Sequence, residues 1–362
     1  MNNKDKQIDL VSNFINQTHS SLIKVGEDLY RGYCPFCNDS IPSIFISKKF
    51  QEYNCLSCGA NGNITNFIMK KEDTDFFGTV KYLTGKSVSS DNYNKDLEVF
   101  YKMNIDAAEY FYKNLYDKED NKGLSYWYKR GLTDETIRRF GLGYTGYGSR
   151  LYFHLKNNLK LSPVKMLDNG LVVKRDKKYY DFFYNRVIIP ILDMNGKVIG
   201  FGGRTLGDEK PKYINTKETA VFDKRLNLFA LNLAKRSKRD GLILCEGYLD
   251  VISMHQAGFD NAVASLGTAL TDEQAYLISR ITNHVYLAYD SDNAGIEATE
   301  KAYKLLQRHN IKIKFIILDK KDPDEFIKSY GNKAFEQKIR QACYYEDYIK
   351  YVKIIDDEGA VT

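Results

Sequence analysis

Five acidic side chains stand where short apolar runs of the sequence give way to polar or glycine-containing turns. They are Glu246, Asp290, Asp292, Asp322 and Asp324. In an open parallel sheet such turns share one edge, which is where these sheets place their ligand sites. Carboxylates on one edge repel one another unless a hard cation lies among them, and Mg²⁺ suits because it takes oxygen ligands and keeps positions for waters and phosphate oxygens. The pattern predicts a magnesium site, and the competing interpretation is a set of solvated loop acids.

Four of the six cysteines form two close pairs separated by about a hairpin's length of chain. The pairs are Cys34 with Cys37 and Cys55 with Cys58. Four thiolates satisfy tetrahedral Zn²⁺ and leave no position for a substrate, so this spacing predicts one structural zinc in a ribbon. A redox pair would instead require one such motif at the start of a helix. Cys245 and Cys343 are expected to be buried small hydrophobes.

Charge is unevenly distributed along the 362 residues. The net charge is +6, yet residues 121–240 hold 25 Lys and Arg against 11 Asp and Glu, and the segments on either side are net negative. A basic middle beside an acidic metal edge suits an enzyme that handles polyanions. A merely soluble basic surface is the alternative. Neither a long apolar run nor a signal-peptide pattern is present, so we expect a soluble, cytoplasmic protein with no membrane partner.

The elements that would position these residues divide the chain into four predicted regions. They are a zinc-binding ribbon domain at 1–90, a mixed α+β basic subdomain at 91–240, a parallel α/β sheet at 241–330 and a helical tail at 331–362. Regular alternation of apolar strands and helices after residue 241 predicts parallel strands with right-handed crossovers. The predicted fold class is therefore a multidomain combination of α+β and α/β units.

Local signals fix several elements within these regions. Asn195-Gly196 between two apolar runs predicts a β-hairpin, and Thr133 is a predicted N-cap for a helix at 134–140. The segment 222–234 has the pattern of a helix. The polar segment 87–94 is the best candidate for a linker.

The acidic residues also belong to short motifs that resemble a known family. Glu246-Gly-Tyr-Leu-Asp250, Asp290-Ser-Asp292-Asn-Ala-Gly295 and Asp322-Pro-Asp324-Glu325 resemble the Toprim signature of topoisomerases and primases. Upstream, Asn185-Arg186-Val-Ile-Ile-Pro-Ile, Gly200-Phe-Gly-Gly-Arg204 and Pro211-Lys212-Tyr-Ile-Asn resemble the basic segment of bacterial and phage replicative (DnaG-like) primases. The cysteine motifs resemble the zinc-binding domain of that family. The resemblance runs from about residue 8 to residue 345 in the family's order.

Two departures from the family pattern stand out. At position 37 this chain has Cys, as phage-type relatives do, whereas the bacterial enzymes usually have His. Zinc binding is expected to survive this difference. The chain also ends soon after the Toprim-like region. We therefore expect it to lack the C-terminal domain by which bacterial primases grip their helicase.

The resemblance implies a DNA primase that makes short RNA primers on single-stranded DNA from NTPs, using one to three Mg²⁺ or Mn²⁺ ions. It implies divalent-metal binding and catalysis by Glu246, Asp290 and Asp292, with Glu246 also a candidate general base, and support from Asp250, Asp322 and Asp324. Triphosphate or template phosphates would be bound by Arg186, Arg204, Lys212 and Lys224. The implied partners are the template, NTPs, the RNA primer–DNA hybrid and a replicative helicase.

Some residues remain open to two interpretations. Gly200, Gly202 and Gly203 would let the backbone approach a nucleotide or could form a tight strand turn, and Phe201 would stack on a base or pack in the core. At the ribbon hairpin a single strand could be contacted by charge and stacking. The residues considered for that contact are Arg31, Lys48, Lys49, Phe50 and Tyr53.

Three other functions compete with primer synthesis. A type IA topoisomerase requires a nucleophilic Tyr in a large separate domain, for which the chain is too short. A Toprim nuclease typically accompanies an ATPase, and the sequence has no Gly-x-x-x-x-Gly-Lys-Ser/Thr motif. A recombination-repair mediator that only binds DNA would not need acids on a sheet edge facing a basic segment.

Overall fold

A computed structural model describes residues 10–18, 21–37, 39–49, 52–73, 90–146, 150–267 and 269–358. The chain forms two compact units, Met1–Asp96 and Leu97–Thr362. The predicted domain boundaries near residues 90, 240 and 330 remain predictions.

The first unit contains a five-stranded antiparallel sheet in which each strand pairs with the next along the chain. Its strands are Ile23–Lys24, Leu29–Gly32, Ile44–Ser47, Glu52–Cys55 and Asn61–Asn63, and its helices are Leu10–Thr18 and Ile64–Lys71. Alternate residues of the two central strands are buried, among them Ile44, Ile46 and Cys55. Period-2 alternation of this kind places one face of a sheet in the core.

An antiparallel sheet carries the predicted basic region of the second unit. Its strands are Gly143–Tyr144, Arg186–Leu192, Val198–Thr205 and Tyr213–Asn215. The two longest pair across the Asn195-Gly196 turn, where Gly196 has φ of +84°, a value that favours glycine. A two-stranded hairpin, Val172–Arg175 with Lys178–Asp181, lies beside it in the chain. The predicted hairpin is confirmed.

Five helices accompany these strands along the chain. They are Ser90–Leu115, Lys122–Lys129, Asp134–Phe140, Leu151–Leu159 and Pro163–Asp168. The side-chain oxygen of Thr133 accepts a hydrogen bond from the Thr136 N–H, so the predicted N-cap is confirmed. The predicted linker is wrong from Ser90 onward, because those residues are helical, and residues 87–89 lie outside the described ranges. Once a helix is anchored by a buried face, extending it costs little.

A four-stranded, wholly parallel sheet follows, as the alternating pattern predicts. Its strands lie in the order Ala262–Ala264, Leu242–Cys245, His284–Leu287 and Lys312–Phe315. The helices of this region are Leu231–Ala234, Tyr248–Gln256, Asp272–Ser279 and Asn293–Arg308, and the tail is formed by Pro323–Arg340 and Tyr345–Glu358. The predicted fold class is confirmed. None of the helices in the described ranges is long and apolar enough to cross a bilayer.

The helix predicted at 222–234 is largely wrong. The segment instead has a single 3₁₀ turn, Lys224–Leu226, and one short helix, Leu231–Ala234. Side chains satisfy its backbone in place of helical bonds: Asp223 accepts from the Arg225 N–H, and the Gln274 amide donates to the carbonyls of Lys224 and Asn227. Local side-chain bonds of this kind compete with helix formation.

Candidate functional site: a cysteine cluster and an acidic cavity

The four cysteines of the first unit form one cluster, whose sulfur atoms all lie within 4.8 Å of one another. Cys34 Sγ is 3.8 Å from Cys58 Sγ, and Cys37 Sγ is 3.8 Å from Cys55 Sγ. A tetrahedron with Zn–S bonds of about 2.3 Å has sulfur–sulfur edges of about 3.8 Å. The cluster fits Zn²⁺ as its sequence spacing predicts, and it leaves no position for a substrate.

Tight turns deliver these thiolates, and neighbouring groups orient them. The Phe36 N–H points at Cys34 Sγ (3.4 Å) and the Cys58 N–H at Cys55 Sγ (3.5 Å). The Ser43 hydroxyl lies 3.2 Å from Cys55 Sγ and also bonds to Asp39. Such outer partners fix the ligands of a metal site.

The residues considered for nucleic-acid contact at the ribbon hairpin differ in exposure. Tyr53 is 3% exposed, because its ring packs edge-on against Phe67 with centroids 5.5 Å apart. It therefore belongs to the core and is not available for base stacking. Lys48 and Lys49 are exposed, Arg31 is half-buried over the ring of Phe45, and Phe50 lies outside the described residues.

The second unit contains a cavity of about 640 Å³ at the carboxyl ends of the parallel strands, which we call the acidic cavity. Five carboxylates and four cationic side chains line it. The acids are Glu246, Asp250, Asp290, Asp322 and Asp324, and the cations are Arg130, Lys212, Lys224 and Lys321. Asp292 is not part of the lining, although its Oδ2 lies 3.6 Å from Lys321 Nζ at the edge. The structure thus brings five of the six predicted acids into one cavity.

Three neighbouring strands of the parallel sheet explain this convergence. Glu246 directly follows the strand Leu242–Cys245, Asp290 follows His284–Leu287, and Asp322 follows the turn after Lys312–Phe315. Carboxyl ends of parallel strands meet at one edge of the sheet. The prediction made from strand ends therefore rests on the correct geometry.

Backbone N–H groups hold the acids in place. Glu246 accepts from the Asp290 N–H (3.0 Å), and Asp250 accepts from the Gly247 N–H (3.1 Å). Asp292 and Asp322 cap helices, accepting from the N–H groups of Gly295 (3.0 Å) and Glu325 (2.7 Å). An added Cβ at Gly295 would lie 2.1 Å from the Asp290 carbonyl oxygen and 2.8 Å from Glu246 Oε1. The helix can approach the acids this closely only because position 295 lacks a side chain.

Burial and mutual repulsion raise the pKa of several of these acids. Burial first, then the charges of Glu246, Asp322 and Asp292, raise the pKa of Asp290 to about 7. Burial also raises the pKa of Glu246, and burial followed by Asp322 and Asp290 raises that of Asp250 well above its usual range. Carboxylates in this state gain from a nearby cation, since an opposite charge favours their ionised form.

The acidic cavity differs from a preformed metal cage. Within the described ranges, no three carboxylates bring oxygen atoms within 4.8 Å of one another, and the cysteine cluster alone meets that spacing. Mg²⁺ in phosphate-handling sites is usually held by one or two carboxylates together with waters and substrate phosphates. The spread of the acids fits a divalent ion bound in that manner.

The predicted basic residues separate into two groups. Lys212 and Lys224 line the acidic cavity, the first exposed and the second half-buried. Arg186 does not line it: this side chain is 6% exposed, and its guanidinium donates to the carbonyls of Gly203, Lys212 and Pro211 at 3.1–3.2 Å. Arg204 also lies outside the lining, with its guanidinium 4.6 Å over the ring of Tyr126. The predicted phosphate-binding role of Arg186 is not supported by this geometry, because its donors are used within the fold.

The glycine-rich strand serves packing. An added Cβ at Gly200 would meet Thr216 and Phe222, one at Gly202 would meet Tyr248, and one at Gly203 would lie 2.5 Å from Phe183. Phe201 is fully buried, edge-on to Phe111. The close approach predicted at these glycines is to side chains of the protein itself, and the core interpretation of Phe201 is confirmed.

Sequence reasoning missed two features of the cavity wall. Arg130 lines the cavity, although the motifs of the sequence assign it no role. Tyr248 and Asn215 also line it, and the Tyr248 hydroxyl donates to Asn215 Oδ1 at 2.8 Å. A basic residue at a helix end before a glycine is the only sequence signal that pointed to Arg130.

Three family models match successive parts of the chain. “CHC2 zinc finger” matches residues 1–98, “DNA primase catalytic core, N-terminal domain” matches residues 110–235, and “Toprim-like” matches residues 243–327. They fall in the order that the motifs of the sequence predict. The ribbon match together with the cysteine cluster identifies a zinc-binding unit.

Curated DNA primases are similar to most of the chain. The chain is 41% identical to the DNA primase of Clostridium acetobutylicum over 92% of its own length and 58% of that protein. It is 37% identical to the DNA primase of Aquifex aeolicus over 92% of its own length and 67% of that protein. The chain therefore spans between half and two thirds of the length of these relatives.

Solved structures give the same result. The zinc-binding and RNA polymerase domains of the Aquifex aeolicus primase superpose with a TM-score of 0.65 at 34% identity, covering 98% of this chain and 88% of that one. A DnaG primase catalytic domain bound to ssDNA superposes with a TM-score of 0.64 at 34% identity, covering 69% of this chain and 80% of that one. The cysteine cluster, the acidic cavity, the family models and the similar proteins all agree. The chain therefore belongs to the DnaG family of DNA primases.

Proposed function

We propose that this chain synthesises short RNA primers on single-stranded DNA by divalent-metal-dependent nucleotidyl transfer. One observation carries the proposal: five carboxylates at the ends of parallel strands share a cavity with Lys212, Lys224 and Arg130. A nucleoside triphosphate carries several negative charges, which the cations of the cavity can neutralise on one side and a metal ion held by the acids can neutralise on the other.

The acids fall into different proposed roles according to their surroundings. Glu246 and Asp290 are half-buried in the cavity lining, and the Glu246 carboxylate accepts from the Asp290 N–H, which holds the two acids beside each other. We propose that they hold the divalent ion, with Asp322 and Asp250 in support and Asp292 at the edge. When bound, Mg²⁺ or Mn²⁺ would stabilise charge on the phosphates and lower the pKa of the attacking hydroxyl.

The two lysines of the cavity lining, Lys212 and Lys224, are proposed to position the triphosphate. Lys212 follows the long strands of the antiparallel sheet, and Lys224 lies on the 3₁₀ turn, so two separate elements supply ammonium groups to the same cavity. Positioning and charge stabilisation carry most of the catalysis in phosphoryl transfer, because little covalent help from protein is needed. Glu246 is proposed as general base as well as ligand, since burial raises its pKa toward the range in which a carboxylate accepts protons.

The partners are proposed from the family. A DnaG catalytic domain has been solved with ssDNA, which supports a single-stranded template here, with NTPs as substrates and an RNA primer–DNA hybrid as product. We also propose one zinc per chain, held by the four cysteines, and recruitment by a replicative helicase at the fork.

Primer synthesis by the purified chain tests the proposal. Labelled NTPs, Mg²⁺ or Mn²⁺ and defined single-stranded oligonucleotides should yield short RNA products, resolved by size on a gel. Asp290→Asn should reduce the yield by about a hundredfold or more, because it removes charge where the metal is proposed to bind. The matched control is Glu297→Gln, an exposed acid on the helix Asn293–Arg308 that lies outside the cavity.

Each alternative outcome has a defined meaning. Degradation of the template in place of synthesis would indicate a Toprim nuclease. DNA binding without products would indicate a binding mediator. Full activity of Asp290→Asn would remove that residue from the site.

A further inference from the structure

We propose that a second cavity, which we call the apolar cavity, binds a small amphipathic anion, and that its occupant affects the acidic cavity through Phe229. The apolar cavity has a volume of about 560 Å³ and belongs to the second unit. Its walls come from the helices Ser90–Leu115 and Asp134–Phe140, the strands Arg186–Leu192 and Val198–Thr205, and the segment 229–233. Binding of the anion is independent of the proposed function, whereas the effect on the acidic cavity rests on it.

Apolar side chains make up most of the wall of this cavity. They include Ala108, Tyr112, Phe140, Leu192 and Leu233, which lie on different elements. Small-molecule sites have volumes of roughly 300–1,000 Å³ and combine mostly apolar walls with a few polar groups. The size and the lining therefore fit one small molecule with an apolar body.

Three charged side chains border the apolar cavity, and they favour an occupant with one negative charge. They are Arg138, Arg139 and Glu109, two positive charges and one negative charge, which leave a balance of +1. In the described part of the chain neither guanidinium has an ion pair or a side-chain hydrogen bond, whereas Glu109 Oε2 lies 3.8 Å from Lys113 Nζ. An unpaired guanidinium fork suits a carboxylate or a similar oxyanion. A polyphosphate would leave most of its charge unmatched here.

The wall formed by the segment 229–233 is held in one conformation. The Phe229 N–H donates to the Ala264 carbonyl of the parallel sheet at 2.8 Å, and the Leu233 N–H donates to the Ala230 carbonyl at 3.0 Å. Ala230 has φ of +62°, a left-handed conformation that is uncommon outside glycine. Such conformations persist where the surroundings impose them, and ligand sites are among the places where they occur. A preformed wall lowers the cost of ordering the site around a ligand.

Phe229 lines the apolar cavity and also contacts a residue of the acidic cavity. Its ring stacks on Phe140 with centroids 5.8 Å apart, and it meets the ring of Tyr248 edge-on at 4.9 Å. Tyr248 lines the acidic cavity, as does Ser265, which follows the alanine bonded to the Phe229 backbone. An occupant that shifts Phe229 would therefore shift two residues of the acidic cavity. Coupling of this kind is reciprocal, so each ligand changes the affinity of the other by the same factor.

Fluorescence titration of the full chain with two probes tests the anion assignment. Anilinonaphthalene sulfonate is an apolar body with one anionic group, and phenylnaphthylamine is the same body without the sulfonate. The double variant Arg138→Gln/Arg139→Gln should weaken sulfonate binding by about tenfold and change phenylnaphthylamine binding by less than about twofold, because only the sulfonate loses charged hydrogen bonds. Arg308→Gln also removes an exposed arginine from the last turn of a helix and is the control. An equal effect on both probes, or none on the sulfonate, would overturn the assignment.

Filling the apolar cavity tests where the probes bind. Ala108→Trp and Asn232→Trp each add an indole to the lining, from two different elements, and should weaken the binding of both probes by about tenfold or more. Ala334→Trp, at a half-buried alanine on the helix Pro323–Arg340 and outside the lining, is the matched control. Thermal unfolding shows which variants retain the fold. Unchanged binding of both probes in the folded variants would overturn the site.

Calorimetry with GTP and Mg²⁺ tests the effect on the acidic cavity. Saturating anilinonaphthalene sulfonate should change the affinity for GTP by about fivefold or more. The change should be lost in Ala108→Trp and reduced in Phe229→Leu, which removes the ring contact with Tyr248. An unaltered GTP affinity, or an undiminished effect in Phe229→Leu, would overturn the coupling through Phe229. Failure of the proposed function would appear separately, as absence of RNA products from the unaltered chain.

Discussion

The cysteine cluster and the acidic cavity both bring together side chains that can bind metal, but they space those side chains differently. The four sulfur atoms lie within 4.8 Å of one another and by themselves complete a tetrahedron. The five carboxylates are spread around about 640 Å³, with no three of them that close among the described residues. A site that carries its full set of ligands serves the fold, whereas a site that leaves positions for waters and phosphates serves the substrate.

The comparison also explains why the two sites rely on different parts of the protein. The sulfur atoms of Cys34 and Cys55 are oriented by turn N–H groups two and three residues away, those of Phe36 and Cys58. The acids are brought together by three strands that are distant in sequence and neighbours in space. The first site therefore depends on local turns, and the second depends on the whole sheet.

The largest effect is expected from breaking the cluster. Cys55→Ser should abolish zinc binding and unfold the first unit, because binding energy at a structural zinc is folding energy. Metal analysis should fall from about one zinc per chain to none, and residues of the ribbon should become protease-sensitive. Cys343→Ser, at a half-buried cysteine outside the cluster, is the control. A ribbon that stayed protected without zinc would contradict the prediction.

Substitution of Arg186 should destabilise the fold more than substitution of Lys212, although less than loss of the cysteine cluster does. Arg186→Gln should lower the free energy of unfolding by about 2–4 kcal/mol, because a buried side chain would lose its charged hydrogen bonds to three carbonyls. Lys212→Gln removes an exposed side chain and should change the free energy of unfolding by less than about 0.5 kcal/mol. Urea denaturation measures both. Equal effects would mean that Arg186 is not the structural residue that its three hydrogen bonds indicate.

The stabilisation of the fold by Mg²⁺ should depend on pH. The folded pKa of Asp290, about 7, lies above its ordinary value, so without a divalent ion its contribution to stability is present at low pH and is lost as pH rises through about 7. Mg²⁺ offsets that loss by favouring the ionised form. The increase in Tm on adding Mg²⁺ should therefore be larger at pH 8 than at pH 5.5, by a few degrees at most.

Two outcomes bear on that prediction. Asp290→Asn should reduce the difference between the two pH values, since the titrating group is gone. An equal or larger Mg²⁺-induced increase at pH 5.5 would indicate that the ion binds elsewhere.

The smallest effect is expected on the salt dependence of DNA binding. Lys212→Gln should reduce the slope of log K against log salt concentration by about 0.7–1, the value for the loss of one phosphate contact. Fluorescence anisotropy with a labelled single strand measures the slope. Arg308→Gln, at an exposed arginine outside the lining of both cavities, is the control. An unchanged slope in Lys212→Gln would show that this lysine does not contact the strand.

Sequence reasoning succeeded where the signal was local or tied to a strand end. The cysteine spacing, the Asn195-Gly196 turn and the acids after apolar runs all depend on a few adjacent residues, and each gave the correct geometry. It failed where packing between distant elements decided the outcome. Tyr53 has the sequence context of an exposed hairpin aromatic, but Phe67 and the second helix cover it. Arg186 has the charge of a phosphate ligand, but carbonyls 17 to 26 residues away use its donors.

The absent side chain at position 295 sets a dimension of the cavity. With an added Cβ only 2.1 Å from the Asp290 carbonyl oxygen, even alanine would push the helix away from the sheet. One missing methyl group thus sets how closely the helix Asn293–Arg308 approaches the backbone of Asp290 and the carboxylate of Glu246. A substitution at position 295 would therefore change the spacing between this helix and the proposed metal site without altering any charged group.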